Sequence, residues 1–544
     1  MIGKNRNQNK NLFYLLIIGL FYLPVLSVLS RAFLRRNALT DVLFFLKSDL
    51  FLKVLSFTTK QAVLSAIFSL FLAIPGAYFF GRYKFPGKRI FRSMMVLPFM
   101  LPGILAVLGM VVFYGKNGAL NHFLSRLFPG KGLAFTGLYG FKGIVLTHVF
   151  FNFSFCLRIL GERWERIDPK LEDASFMLGA GKIKTWWRVT LPLLLPTIGY
   201  LFTLVFLYSF LSFTAVLVLG GYLYQTFEVL IYIEYNNKLN FNRASLLAAI
   251  QLLLLAGVLY LQNWTGKLSQ RQTGTPGDLP ALNPRKQPGT VILFILYFIV
   301  AILFFTLPII LVLIRSFKSR GQSSGAWTFE NYRLLLSRGF SFAVGKNFIV
   351  VLLTSIMISG IVAFLTLITA YILARKRKSL KWGTLDLWLQ LPIGISFLTF
   401  AFGLVNLTGQ AVPSWLRLIW AQFFLAFPLV YSILRTARQE LGEDLLDAAA
   451  LLGASGKEVF FTVELPLMKR ALGSALAYGA AISLGDLSAV LVLGEGKIIT
   501  LSVAVYRLIG HYHFPQATAL GTIFTILSLL LFFLIEGREK RDLF

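Results

Sequence analysis

The stretch LEDASFMLGAGKIKTWWRVTLPLLLP at residues 171–196 reappears as LDAAALLGASGKEVFFTVELPLM at residues 446–468. Identical residues in the two copies lie 274 positions apart, and this offset continues through the shared AVLVLG at 215–220 and 489–494. A single register held over so long a stretch indicates an internal duplication. The identical pairs include Asp173 and Asp447, Ala174 and Ala448, Gly179 and Gly453, Leu191 and Leu465, and Pro192 and Pro466.

Long apolar runs surround both copies of this stretch. Of the 544 residues 57% are hydrophobic and only 14% are charged, a balance that excludes a soluble enzyme. Each run is long enough to cross a hydrocarbon core of about 30 Å, and in lipid such a run must be a helix. We therefore predict an all-α integral membrane protein with twelve transmembrane spans. Their predicted bounds are 12–30, 57–80, 94–113, 143–160, 193–218, 244–261, 291–314, 348–373, 385–405, 418–434, 471–492 and 517–535.

The duplication divides these spans into two homologous six-helix halves, predicted at residues 1–261 and 291–544. Residues 262–290 are rich in Gly, Pro, Thr and Gln, which is typical of a flexible linker. Basic residues crowd two short loops near residues 82–92 and 375–381. The positive-inside rule places these loops in the cytoplasm, and with them the linker and both termini.

Several other classes of protein do not fit this composition. The single cysteine, Cys156, permits no intramolecular disulfide, and the four histidines are too scattered to hold a metal. The net charge of +30 comes from basic residues that lie between apolar runs, so it reflects membrane topology. We expect a lipid bilayer, and no nucleic acid, around this chain.

The repeated stretch falls between the fourth and fifth predicted spans of each half. Asp173 and Asp447 introduce short Ala-rich segments with strong helix propensity, which Gly179 and Gly453 can end through a left-handed turn. Aromatic residues suited to a membrane interface follow, and a Leu-Pro pair then opens the next span. The sequence therefore predicts a short helix at the cytoplasmic face, with small residues that let another surface approach closely.

This stretch resembles the EAA loop of binding-protein-dependent ABC importer permeases of the type I fold. The family pattern is Glu-Ala-Ala, three residues, Gly, nine residues, an aliphatic residue, one residue and Leu-Pro. Both copies fit, with Val189 and Val463 as the aliphatic residues, although Asp173 and Asp447 replace Glu and Ser175 replaces the second Ala. The resemblance assigns ATPase coupling to Asp173, Ala174, Ser175, Gly179, Leu191, Pro192, Asp447, Ala448, Ala449, Gly453, Leu465 and Pro466.

The same resemblance implies the partners. Two copies of a cytoplasmic ABC ATPase would grip the two loops, and a periplasmic or lipid-anchored substrate-binding protein would deliver cargo to the outer face of a bacterial inner membrane. ATP and Mg²⁺ would be bound by the ATPase, and no cofactor is expected in this chain. Gly-Lys occurs at 181–182 and 456–457, but no Ser or Thr follows, as a phosphate loop requires.

Shorter motifs narrow the resemblance to fused permeases, which serve thiamine and ferric iron. Residues 114–118, 139–140 and 148–152, with Ser483–Asp486 and the segment 500–506, are most similar to the thiamine-importer permease. Permeases of ferric-iron importers come next and remain the alternative. The implied function is translocation of thiamine or its phosphates.

Five polar residues within the spans are candidates for the substrate path. Asp486 lies deep in the eleventh predicted span, where a charge costs about 2.5–3.5 kcal/mol, so we expect it to face the bundle interior or water. A cationic cargo would gain from this carboxylate, but a hydrogen bond between helices would explain it equally well. Small polar residues commonly form hydrogen bonds between membrane helices, so the other four candidates could serve that structural role instead. The other four candidates are Ser212, Ser209, Ser483 and Asn152.

Two other functions remain as distant alternatives. An integral-membrane transferase would need convergent acids, histidines or a metal site at a membrane face, and the sequence offers none. An ion-coupled secondary carrier would need ionisable relays within the spans, and only Asp486 qualifies. We therefore expect a translocation subunit that performs no covalent chemistry.

Overall fold

A computed structural model describes residues 2–34, 38–88, 101–130, 132–270, 287–319, 326–375, 388–442 and 444–536. Within these residues the chain is helical apart from short loops and one isolated β-bridge between Lys318 and Trp327. The fold is therefore all-α, as the apolar runs predict.

The described residues of the first half form twelve α-helices. They are α1 (Ile2–Phe33), α2 (Ala38–Leu46), α3 (Asp49–Arg82), α4 (Gly103–Tyr114), α5 (Ala119–Leu127), α6 (Phe141–Glu165), α7 (Pro169–Met177), α8 (Lys182–Thr185), α9 (Leu191–Phe210), α10 (Thr214–Leu219), α11 (Phe227–Tyr232) and α12 (Phe241–Gln270).

The second half repeats this series. Its helices are α13 (Pro288–Ser316), α14 (Glu330–Leu335), α15 (Arg338–Val344), α16 (Phe348–Ala374), α17 (Phe397–Thr408), α18 (Ser414–Glu440), α19 (Asp444–Leu451), α20 (Gly456–Glu458), α21 (Leu465–Gly485), α22 (Ser488–Leu493), α23 (Leu501–Gly510) and α24 (Phe514–Glu536).

Ten stretches of the described chain are long and apolar enough to cross a membrane, and each overlaps one of the twelve predicted spans. The ninth prediction, 385–405, begins outside the described residues and continues as the shorter helix α17. The eleventh, 471–492, is wrong in its bounds, because the helix ends at Gly485 and Asp486 has an extended backbone. The third, 94–113, also lies partly outside the described residues, and its helix begins at Gly103.

The predicted linker differs from the structure at both ends. Helix α12 continues to Gln270 and α13 begins at Pro288, so helix replaces the expected loop at residues 262–270 and 288–290. Residues 271–286 lie outside the described residues, as do both chain ends, residues 89–92 of the first basic loop and residues 376–381 of the second. The long apolar character of α12 evidently outweighs the polar residues at its end.

The first helix of each half packs on the other half. Helix α1 contacts α17 and α12, and α13 contacts α4 and α24. These crossings are close: a Cβ on Gly403 of α17 would lie 2.3 Å from the Pro24 carbonyl oxygen, and one on Gly109 of α4 would lie 3.3 Å from Pro308. Glycine at both places lets the exchanged helices approach, so the two halves are interlocked in a repeated way.

Candidate functional site

The repeated stretch of the first half forms the short helix α7 and a left-handed turn. Asp168 caps the helix by accepting a hydrogen bond from the Lys170 amide at 3.0 Å, and Pro169 occupies the first turn. Gly179 has φ +79, and the Ala180 amide donates to the Ser175 carbonyl at 3.1 Å. This is the geometry of a Schellman motif, which requires the left-handed glycine.

The second half repeats the same turn. Helix α19 ends before Gly453, which has φ +89, and the Ala454 amide donates to the Ala449 carbonyl at 3.2 Å. The predicted left-handed turns are thus confirmed. The predicted helix start is wrong, because Asp173 and Asp447 lie inside their helices, which begin at residues 169 and 444.

Each turn presents apolar side chains that no described residue covers. Met177, Leu178, Leu451 and Leu452 are each 88–89% exposed, just ahead of the two left-handed glycines. Exposed apolar groups at matching places in two repeats are typical of a surface that binds a partner. The aspartate and first alanine of both motifs are exposed on the same helices.

A π-helical segment joins each loop to the next span. These segments cover Trp186–Thr190 and Val459–Glu464, and helices α9 and α21 then begin at the predicted Leu-Pro pairs. Proline lacks an amide proton and its ring crowds the preceding turn, which favours a locally widened helix. After the second glycine, hydrogen bonds from the Ser455 amide and hydroxyl lower the pKa of Glu458 and fix the following turn.

A polar pair joins the fourth and fifth spans of the first half. His148 on α6 places Nε2 at 2.7 Å from the hydroxyl of Ser212, and its Nδ1 lies 3.2 Å from the hydroxyl of Ser65. In the 274-residue register, His148 corresponds to Gln422 and Ser212 corresponds to Asp486. The structure therefore forms the same bridge twice, with different residues.

Within the described residues, the hydrogen bonds of the Asp486 carboxylate all go to buried groups of the protein. Its carboxylate accepts from Gln422 Nε2 at 3.2 Å, from the Ser488 hydroxyl at 3.0 Å and from the Ala489 amide at 3.2 Å. The bond from the Ala489 amide satisfies a free backbone donor at the start of helix α22. Ser483 donates to Gln422 Oε1 at 2.5 Å, so the second bridge is a closed buried network.

A cavity of about 250 Å³ lies beside the first bridge. Two of the five candidate path residues, Ser212 and Asn152, line it, whereas Ser209, Ser483 and Asp486 do not. Asn152 donates to the His148 carbonyl at 2.9 Å, and the Ser209 carbonyl accepts from Gln61 at 2.7 Å. The full lining is Gly103, His148, Phe151, Asn152, Tyr208, Ser212, Phe213, Thr214 and Ala215.

Sequence reasoning missed His148 as a member of this site. A signal was present, because a polar residue in an apolar span aligns with polar Gln422 in the other half. The aromatic lining of the cavity had no such signal among the many Phe and Tyr residues.

Two interlocked helical repeats, each with the same exposed helix and turn ahead of its fifth span, define a multi-span transport permease. The family described as "Binding-protein-dependent transport system inner membrane component" matches residues 73–273 and 367–538, and the chain belongs to this family. It is accordingly a multi-pass inner-membrane permease of a transport system that depends on a binding protein.

Similar proteins extend over most of the chain. The thiamine transport system permease protein ThiP of Brucella abortus is 28% identical over 498 residues, covering 89% of this chain and 87% of that protein. ThiP of Escherichia coli is 28% identical over 496 residues, covering 90% and 89%. A putative ferric transport system permease protein, FbpB 1 of Haemophilus influenzae, is 27% identical over 464 residues, covering 82% and 69%.

Proposed function

We propose that this permease imports thiamine or its phosphates, using ATP that separate ATPase subunits hydrolyse. The observation that carries the cargo assignment is the similarity to thiamine permeases along 89–90% of the chain. The chain itself would perform no covalent chemistry and hold no cofactor, with ATP and Mg²⁺ confined to the ATPase.

The two exposed turns support the mode of coupling. Two copies of a cytoplasmic ABC ATPase would each receive one helix, α7 or α19, and cover its apolar residues. Both loops must then face the cytoplasm, and so must the linker and both termini. A periplasmic or lipid-anchored binding protein would load cargo from the other side. Closure of the ATPase pair would rock the interlocked halves between two openings.

The cavity suits a flat organic cation. Phe151, Tyr208 and Phe213 supply aromatic faces, which attract cations and stack on planar rings. The thiazolium of thiamine carries a permanent positive charge beside an aromatic pyrimidine. Ferric iron is the second candidate because of the ferric relative, but the described lining offers one phenol and no carboxylate to such a hard cation.

Reconstitution tests both cargoes directly. Proteoliposomes carrying the chain, its ATPase and its binding protein should take up radiolabelled thiamine when ATP is enclosed, and unlabelled thiamine should compete. Iron-55 is offered in a separate arm. Uptake of iron without thiamine would overturn the cargo assignment and leave the family assignment intact.

Co-purification tests the coupling surface. The double variant Leu451→Asp/Leu452→Asp should lose the ATPase, because charges replace the exposed apolar pair at the turn. Phe342→Asp is the matched control, since Phe342 is 94% exposed on α15, a helix remote in sequence from both loops. Equal recovery of ATPase with both variants would show that α19 is not the docking helix.

A further inference from the structure

An arginine stands at the same end of the second long helix in each half. The sequences AYFFGR at 77–82 and AYILAR at 370–375 align, so Arg82 at the end of α3 corresponds to Arg375 after α16. Both arginines lie beside the repeated loops. Each has a carboxylate partner there.

In the first half the partner is on the exposed helix. Arg82 Nη2 lies 2.5 Å from Glu172 Oε1 on α7, and the Thr190 hydroxyl donates to the same oxygen at 2.5 Å. Arg82 Nη1 also donates to the Ile167 carbonyl at 3.0 Å. Glu172 therefore ties the second long helix both to α7 and to the last residue before the fifth span.

In the second half the partner occupies another position. Arg375 Nη2 lies 2.8 Å from Glu464 Oε2, and Arg438 Nε lies 3.3 Å from Glu464 Oε1. In the 274-residue register Glu464 corresponds to Thr190, whereas Glu172 corresponds to Leu446. The carboxylate has thus moved from the exposed helix to the π-helical segment, while the arginine has kept its place.

Despite this change of position, Arg82 and Arg375 each have one carboxylate partner. Glu464 is 1% exposed, and a buried carboxylate is stable only when it is paired. If Glu172 served only its own helix, the second half should carry a carboxylate at the aligned position 446. It carries Leu446 there and places its carboxylate at Glu464 instead. What the two halves share is the connection between the second long helix and the start of the fifth span.

We propose that these two ion pairs are coupling latches, in which Arg82 with Glu172, and Arg375 with Glu464, are positioning residues. Each latch makes the second long helix and the start of the fifth span move as one body when the loop is displaced, and in the first half it also holds α7. The inference rests on the proposed function, because it assumes that the loops receive the movement of an ATPase.

Moving the carboxylate within the first half tests this directly. Glu172→Leu removes the acid, and Glu172→Leu/Thr190→Glu recreates the arrangement of the second half. Glu162→Leu is the matched control, because the one ion pair of Glu162 within the described part of the chain is with Arg158, one turn away on the same helix, at 3.1 Å and partly exposed. The membrane level of every variant is measured by immunoblot.

Two readouts follow. In the purified chain alone, amide hydrogen exchange over the π-helical segment 186–190 should be faster in Glu172→Leu and return to the wild-type rate in the double variant. In the reconstituted complex, thiamine taken up per ATP hydrolysed should fall about tenfold in Glu172→Leu and recover in the double variant, a size typical of coupling between sites. The control should match the wild type in both.

Wild-type exchange and uptake in Glu172→Leu would overturn the latch, and so would a loss that Thr190→Glu does not restore at equal membrane level. If the double variant does not accumulate, Leu446→Glu/Glu464→Thr decides, since it moves the carboxylate of the second half to the sequence position that Glu172 occupies in the first. Its thiamine uptake per ATP hydrolysed should exceed that of Glu464→Thr. Hydrogen exchange needs neither ATPase nor cargo. Failure of the wild type to take up thiamine would therefore count against the proposed function alone.

Discussion

Gln422 donates a hydrogen bond to the carboxylate of Asp486 across 3.2 Å, joining the fourth span of the second half to the end of the fifth. The first half makes this connection with His148 and Ser212. Of these two bridges only the second carries a carboxylate, and only the first lines the cavity. The duplicated scaffold therefore holds two chemically different polar groups at equivalent places.

Ser212→Ala should destabilise the protein and weaken cargo uptake, because it leaves the buried Nε2 of His148 without its partner. An unsatisfied buried polar group costs about 1–3 kcal/mol. Ser154→Ala on α6 is the matched control, since the Ser154 hydroxyl is buried and has no hydrogen-bond partner among the described residues. Thermal unfolding in detergent and the KM for thiamine uptake are the measurements. Identical behaviour of the two variants would show that the hydrogen bond between His148 and Ser212 supports neither stability nor uptake.

Gly453→Ala should impair transport while the protein still inserts. Its φ of +89 is costly for any residue with a Cβ, by about 1–2 kcal/mol, so the turn after α19 should change shape. Gly453→Val should abolish transport, because a β-branched residue fits this backbone still less well. Uptake is compared at equal membrane level.

Gly456→Ala is the control for that series. A Cβ at either glycine would meet no neighbour within 4 Å, but Gly456 has no positive φ. A loss in Gly456→Ala equal to that in Gly453→Ala would attribute the effect to something other than the left-handed turn.

Topology is testable with single cysteines, because the native Cys156 is fully buried. A cysteine at position 275, in the linker, should react with a charged, membrane-impermeant maleimide only after the membrane is permeabilised. Phe342→Cys on α15 should react in intact cells. Labelling of both from outside would contradict the cytoplasmic placement of the linker.

The sequence predicted the repeated features well, because each depends on neighbouring residues. A left-handed turn at Gly179 and a helix start at Leu191 follow from local backbone preferences that recur 274 residues later. The start of α7 was also predictable from the sequence, because Asp followed by Pro is a common way for a helix to begin, as at Asp168 and Pro169. The helix propensity of the Ala-rich segment instead predicted a start at Asp173.

Features that depend on distant residues were not predictable from local patterns. Arg82 and Glu172 are 90 residues apart, and a charged residue at a span end is ordinarily explained by topology alone. The packing of Gly403 on Pro24 joins opposite halves of the chain. Alignment of the two repeats matches His148 with Gln422 and Ser212 with Asp486, but only the three-dimensional structure brings α6 against the end of α9.

Asp486→Asn should lower thiamine uptake without lowering the amount of protein in the membrane. The asparagine oxygen can still accept the bonds from the Ser488 hydroxyl and from the Ala489 amide at the start of α22, so the helix should form. The charge is lost, and in a medium of low dielectric constant that charge would attract a cationic cargo even from outside the cavity lining. Radiolabelled thiamine uptake and immunoblotting measure the two quantities.

The double variant Gln422→Glu/Asp486→Asn separates the charge from the hydrogen bond. In the single variant the new amide faces the Gln422 amide as a second donor, and Gln422 Oε1 already accepts from Ser483 at 2.5 Å, so the network is also disturbed. Glutamate at 422 accepts from both Ser483 and the new asparagine, and it returns the negative charge to the same bridge. Uptake should therefore recover in the double variant if a carboxylate at this bridge serves the cargo. Wild-type uptake in Asp486→Asn would instead establish Asp486 as a helix cap with no part in transport.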